Sequence, residues 1–259
     1  MTGALPNSKR ASGGTTPERT TNSKRHGVAR VISKLGMASR SQAARWVQEG
    51  RVQVNGRVVR DAQFPVRQGV DRVEIEGQAL SATGRRVLML NKPRGLVTTA
   101  KDERGRDTVY RCLAGADLPW LAPVGRLDKA SEGLLMFSND PAWAARVTDP
   151  ESGPDKTYHV QIDQVPGAEL LERLQRGATL EGERLSAKSV KCLRAGGKHA
   201  WLEIVLAEGR NRHIRRLLAH FGVSVLRLVR VKIGGLSLGE LPKEHWRMLT
   251  EREIAALSA

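Results

Sequence analysis

Asp128 stands in the stretch Gly125-Arg126-Leu127-Asp128-Lys129-Ala130-Ser131-Glu132-Gly133-Leu134-Leu135-Met136-Phe137, between two glycines and just ahead of an apolar run. A buried strand needs a turn at its mouth but neither Arg126 nor Asp128, so a chemical reading competes with that of a plain charged turn. That chemistry would centre on the Asp128 carboxylate. Paired with Glu132 it would suit a carboxylate-pair hydrolase, although two acids this close beside a glycine turn arise often by chance. A second group is Lys156-Thr157-Tyr158-His159-Val160-Gln161-Ile162. Its alternation places Tyr158 on the apolar face of a strand, where it is a core residue or, in a base-binding site, a stacking face with a hydroxyl. A third group follows the Glu208-Gly209-Arg210 turn. Ile214, Leu217, Leu218 and Phe221 make one helical face, and Arg212, Arg215 and Arg216 make the opposite stripe. No acid interrupts the run from Arg210 to Leu218, and like charges at this spacing repel by roughly 0.2–0.5 kcal/mol per pair. A polyanion relieves that repulsion. His213 has no clustered partner and reads as an ordinary surface histidine.

These groups need elements to position them. Val87-Leu88-Met89-Leu90 is a short apolar strand that runs into Asn91-Lys92-Pro93-Arg94-Gly95. Pro93 fixes φ and Gly95 permits a sharp turn, so Lys92 and Arg94 are held at a strand end. The strand Gly133–Ser138 leads to a helix capped by Asp140 with Pro141 in its first position, with Ala142, Ala145 and Val147 facing inward. A strand from Trp201 to Ala207 feeds the arginine helix.

Nearer the N-terminus, Val28, Ile32 and Leu35 have helical spacing, and Gly36 stops that helix. Ser39 or Ser41 offers a cap for a second short helix through Ala43, Ala44 and Val47. Valines alternate around Asn55-Gly56, the pattern of a type I′ hairpin. A strand over 73–75 completes a compact unit. Residues 1–27 are poor in apolar side chains and rich in Ser, Thr, Gly, Pro and basic residues, which predicts a disordered basic tail. The domain boundaries expected are therefore 1–27 for the tail, 28–80 for a small α+β unit, 81–86 for a linker and 87–256 for the larger domain.

The 259 residues carry 43 Lys and Arg against 27 Asp and Glu, a formal net charge of +16. The tail supplies only Lys9, Arg10, Arg19, Lys24 and Arg25 against Glu18, so the surplus belongs to the folded part and points to nucleic acid. No segment has the basic and aromatic faces of a membrane-surface helix, and no run approaches the roughly 18 apolar residues of a spanning one. Cys112 and Cys192 have no C-x-x-C spacing, which indicates neither a zinc site nor a disulfide framework and suits the cytoplasm.

The run Ser39-Arg40-Ser41-Gln42-Ala43-Ala44-Arg45 followed by Gly50-Arg51-Val52-Gln53-Val54-Asn55-Gly56 resembles the S4 RNA-binding domain. The resemblance implies contact with structured RNA through Arg40, Arg45, Arg51 and Arg57. The larger domain resembles the pseudouridine synthases of the RsuA family. The resemblance rests on Asn91-Lys92-Pro93-x-Gly95, Gly125-Arg126-Leu127-Asp128 with Gly133-Leu134-Leu135, Lys156-x-Tyr158, Glu208-Gly209-Arg210-Asn211-Arg212 with Arg215-Arg216, and Ile233-Gly234-x-Leu236. It implies an α+β chain in which the catalytic domain has a mixed, mainly antiparallel sheet flanked by helices. Asp128 is then the catalytic aspartate on a flipped-out uridine, Tyr158 the stacking residue, Arg215 the partner of the aspartate and Arg126 the support of the loop. Lys92, Arg212 and Arg216 join the RNA-binding set. The implied substrate is ribosomal RNA or a ribosome assembly intermediate, with a slight lean to the large subunit, for a monomer with no metal and no organic cofactor. A non-catalytic RNA-binding or assembly factor suits the same composition and differs in leaving uridines unchanged.

Overall fold

The computed structural model describes residues 25–81, 84–100 and 102–257. Most of the expected tail, residues 1–24, lies outside the described residues, as do 82 and 83 of the expected linker. The first unit runs β1 (Arg25–Gly27), α1 (Val28–Lys34), α2 (Arg40–Gln48), β2 (Val52–Val54), β3 (Arg57–Val59), β4 (Pro65–Arg67), β5 (Val73–Ile75) and β6 (Gln78–Ala79). Residues 25–27 do not belong to a tail: β1 pairs antiparallel with β4, which satisfies backbone groups that both segments would otherwise leave open. Ser39 caps α2, its hydroxyl accepting from the Gln42 N–H at 3.1 Å. Asn55 and Gly56 both have positive φ, 52° and 78°, so the hairpin β2–β3 has the turn that its dipeptide predicts. Val28, Ile32, Ala43, Val47 and Val52 are fully buried between the helices and the four-stranded sheet β3-β2-β5-β6.

The second unit continues with β7 (Val87–Lys92), β8 (Ala122–Val124), β9 (Glu132–Ser138), α3 (Pro141–Thr148), β10 (Lys156–Ile162), α4 (Ala168–Arg176), β11 (Ala178–Leu180), β12 (Glu183–Leu185), β13 (Ser189–Ala195), β14 (Ala200–Leu206), α5 (His213–His220), β15 (Val225–Ile233), β16 (Leu236–Ser237), β17 (Trp246–Met248) and α6 (Glu251–Ala256). Its sheet has the order β13-β14-β10-β15-β9-β7-β17, with β16 on β15 and β8 on β9. Among the described residues β15 and β9 run parallel and the other neighbours antiparallel. The mixed, mainly antiparallel sheet flanked by helices is therefore present.

Two apolar layers hold the helices to this sheet. Ile214, Leu217 and Leu218 of α5 and Leu174 of α4 pack with Val160, Ile162, Leu202 and Ile204. Trp143 and Val147 of α3 and Ile254 of α6 pack with Val87, Met89, Leu134 and Met136. Each such side chain contributes about 1.5–3 kcal/mol by leaving water. In α3 the inward face differs from expectation. Trp143 and Val147 are buried while Ala142 and Ala145 are exposed, because the i, i+4 pair carrying the larger apolar area takes the core side.

The parallel junction forces one residue type. Gly133 has φ 98°, and a Cβ there would lie 2.3 Å from the Arg230 carbonyl oxygen. Gly133→Ala is expected to cost at least about 2 kcal/mol, read as a lower urea midpoint. An unchanged midpoint would contradict the close approach of β9 and β15.

Candidate active site

Asp128 lies on the loop joining β8 to β9, and that loop is held by five consecutive carbonyls. The Leu127 oxygen accepts from the Thr98 hydroxyl at 2.7 Å. The Asp128 oxygen accepts from the Ser131 N–H at 2.9 Å and the Lys92 ammonium at 3.2 Å. The Lys129 oxygen accepts from the Gly95 N–H at 2.8 Å. The Ala130 oxygen accepts from Arg215 Nη2 at 3.1 Å, and the Ser131 oxygen from Lys92 at 2.9 Å. The loop is thus fixed through its main chain, and the carboxylate is left to face a cavity of about 480 Å³.

Lys92 was expected on the RNA surface, and here the structure corrects the expectation. Strand β7 extends two residues beyond Leu90 and carries Lys92 inside, fully buried, with its third hydrogen bond to the Pro93 carbonyl at 3.0 Å. Burial draws its pKa down to about 8 against the opposing charge of Asp128. It is a fastener of the Asp128 loop, not a phosphate contact.

Arg126, Asp128, Tyr158, Arg212 and Arg215 line one cavity. Tyr158 is buried on β10, opposite Ile204 and Arg230. The pairing of Arg215 with the aspartate is not seen. Arg215 donates to the Val225 and Ala130 carbonyls, and the cation within reach of Asp128 is Arg212, at 3.9 Å. The cause is local: α5 starts only at His213, and Arg212 caps it in the left-handed region at φ 48°, which takes it off the Arg215 stripe. Both partners of the Arg212–Asp128 pair are solvated, so it contributes about 0–1 kcal/mol. Burial, then the charge of Arg212, lowers the Arg215 pKa while Asp128 opposes the shift.

Arg216 also departs from expectation. The hairpin β11–β12 lays Glu183 and Glu181 against it, and Glu183 also holds Arg210 at 3.1 Å. Its charge is neutralised within the chain by acids far away in sequence, so it is not an open RNA contact. His213 is buried instead of sitting on the surface, and burial is the main cause of its lowered pKa. Two residues that line the cavity had no role expected of them: Lys156, quoted above only as part of the Tyr158 motif, whose pKa is lowered by burial and then by Arg230, and Arg230 itself. Lys156 stands two residues before Tyr158, which was a usable signal. Arg230 sits among Leu and Val on β15 and gave none.

Glu132 does not face the cavity. Its buried carboxylate accepts from Arg227 Nε at 2.9 Å and Nη2 at 3.0 Å and pairs with Lys243 at 2.7 Å, so it is no partner for Asp128 in a carboxylate-pair hydrolase. Burial alone would raise its pKa; the hydrogen bonds from Arg227 and Lys243 outweigh that and bring it to about 2. A carboxylate depressed from 4.5 stabilises the fold above that pH, and the contribution is lost as pH falls from 4.5 toward 2. Glu132→Gln is expected to be less stable than wild type by about 1–3 kcal/mol at pH 7. Its stability should fall less steeply over the acid window; urea melts at pH 7 and pH 3 check both.

In the N-terminal unit Arg40, Arg45 and Arg57 are exposed, away from the cavity. Arg51 is not open: it pairs with Glu76 at 2.8 Å and Glu49 at 3.5 Å, and its guanidinium lies 5.3 Å from the Trp46 ring centre. Among the described residues no His, Cys, Asp and Glu cluster could hold a metal ion, and no helix is long and apolar enough to cross a membrane.

Comparisons with known proteins identify the family. Residues 86–220 match the family described as RNA pseudouridylate synthase, and residues 28–71 match the S4 domain. The chain is 34% identical to the ribosomal large subunit pseudouridine synthase B of Bacillus subtilis, over 90% of this chain and 95% of that one. It is 36% identical to an uncharacterized RNA pseudouridine synthase of Aquifex aeolicus, over 89% and 92%. A solved pseudouridylate synthase superposes with a TM-score of 0.60 at 30% identity, covering 91% of this chain and all of that one.

Proposed function

The chain belongs to the RNA pseudouridylate synthase family and carries an S4 domain, and from this premise we propose that it isomerises one uridine of large-subunit ribosomal RNA to pseudouridine, with Asp128 as nucleophile. The observation that carries the reading is the Asp128 carboxylate presented to a cavity it shares with Tyr158, on a loop fixed by its own carbonyls. A uridine inside folded RNA cannot reach that carboxylate, so it must first be turned out of its stack, at a few kcal/mol that the pocket offsets. Tyr158 takes the base face, Arg126 and Arg212 take the phosphates around it, and Arg215 holds the Asp128 loop through the Ala130 carbonyl. The Asp128 oxygen then attacks C1′ of the ribose and the bond to N1 breaks, leaving uracil as an anion. The ring rotates, C5 attacks C1′ and the carboxylate leaves; the proton on C5 then departs to solvent while N1 takes one up, which completes the isomerisation. Arg40, Arg45 and Arg57 hold neighbouring structured RNA. The relatives named for the large ribosomal subunit favour that substrate, as naked rRNA or within an assembly intermediate, for a monomer acting in the cytoplasm.

The loss of the C5 proton supplies the test. Wild-type protein is expected to release tritium from a large-subunit rRNA transcript labelled at C5 of uridine, to about one equivalent per RNA. Release no faster than from RNA alone would refute the proposal.

A further inference from the structure

The sheet carries another aromatic, Trp201, on the face turned away from Tyr158. Gln161 lies on that opposite face of β10 because side chains alternate along a strand, and its neighbour in register on β14 is Trp201. Trp201 is half-buried. Arg194 stands beside it on β13, with its guanidinium carbon 5.3 Å from the ring centre. Arg227 reaches the same ring at 5.8 Å. Among the described residues no helix covers this part of the sheet: α4 and α5 pack in the layer with Tyr158, and α3 and α6 pack against β7 and β9.

The two arginines differ in a way that matters. Arg227 is anchored by its two hydrogen bonds to Glu132. Arg194 is exposed and, like Lys191 and Lys198 on the same hairpin, has no carboxylate within ion-pair distance among the described residues. An indole with one fixed and one displaceable guanidinium, bordered by unpaired cations, matches a nucleobase with its phosphates: every base offers a face for stacking, and the cations follow the backbone. We propose that the Trp201 face of the β13–β14–β10 sheet is a second RNA-binding site, where an unpaired nucleotide stacks on Trp201 after Arg194 moves aside to its phosphate. This rests on the reading of the chain as an enzyme of ribosomal RNA, and it gives that enzyme a hold on its substrate remote from the reacting uridine.

The test uses full-length protein and two RNAs, a long large-subunit rRNA transcript and a short hairpin containing the modified uridine. Trp201→Ala should raise KM on the long transcript roughly tenfold, with kcat unchanged, and leave the short hairpin unaffected. Trp201→Phe, which retains a ring, should restore most of the affinity and, by its melting temperature, show that the fold is intact. Ultraviolet crosslinking of the wild type to single-stranded oligouridylate should label the peptide containing Trp201. Unchanged KM for Trp201→Ala with no crosslink at that peptide would overturn the site. So would displacement of the long transcript from this face by polyglutamate but not by oligouridylate, which would mark an acidic protein as the occupant. If instead the wild type forms no pseudouridine in either RNA, the proposed function fails, and the crosslink still reports on Trp201 independently.

Discussion

Asp128→Asn is expected to lower pseudouridine formation at least about 10⁴-fold while RNA affinity stays within about threefold of wild type. The separation follows from how the residue is held. Its main-chain oxygen is fixed by Ser131 and Lys92, and its carboxylate has the solvated Arg212 at 3.9 Å as its ion-pair partner. An amide of the same size therefore leaves the loop, the cavity and the fold in place. What it removes is a nucleophile, since an amide oxygen cannot form and release an ester at C1′. Single-turnover assays with excess enzyme read the rate, and filter binding reads the affinity. Activity within tenfold of wild type would remove Asp128 from the chemistry. A parallel collapse of binding would make it a structural residue instead.

Lys92→Met is the second large effect, and it tests the loop instead of the carboxylate. Replacing a buried charge with an apolar side chain can be neutral when all its partners leave with it. Here they stay: the carbonyls of Pro93, Asp128 and Ser131 lose a shared donor inside the protein. The Asp128 oxygen keeps the Ser131 N–H, so the Pro93 and Ser131 carbonyls are the ones that bear the loss. Such losses cost roughly 1–3 kcal/mol each before relaxation, and a loss of about 3 kcal/mol in urea denaturation is expected. The freed loop lets Asp128 drift from the reacting carbon, and a misplacement near 1 Å lowers kcat by about 100-fold. Arg94→Ala, at an exposed side chain in the turn that follows β7, serves as the comparison and should leave stability unchanged. Equal behaviour of the two variants would show that Lys92 does not fasten the loop.

Local signals carried the elements far. The Asn55-Gly56 turn, the Asp140 cap, the alternation through Tyr158 and the spacing of Ile214, Leu217 and Leu218 each depend on a few neighbouring residues, and each appears in the structure. Asp128 and Tyr158 were legible as candidates because a charge at a strand mouth and an aromatic in a poorly aromatic chain are unusual locally. The partners were not legible. Glu183 reaches Arg216 across 33 residues, and Lys92 reaches Ser131 across 39. Only the folded topology makes those meetings, so an arginine stripe that looked open proved to be divided: Arg212 toward Asp128, Arg215 to two carbonyls and Arg216 to a hairpin glutamate. For the same reason Lys92 looked like an exposed strand end when it is a buried donor.

The most direct measurement is the chemical mapping of pseudouridine in unmodified large- and small-subunit rRNA incubated with the purified wild-type protein. A new pseudouridine is expected at one position of the large-subunit RNA, none in the small-subunit RNA, and none in either with Asp128→Asn. No pseudouridine in either RNA, or the same modification with Asp128→Asn, would contradict the proposed function.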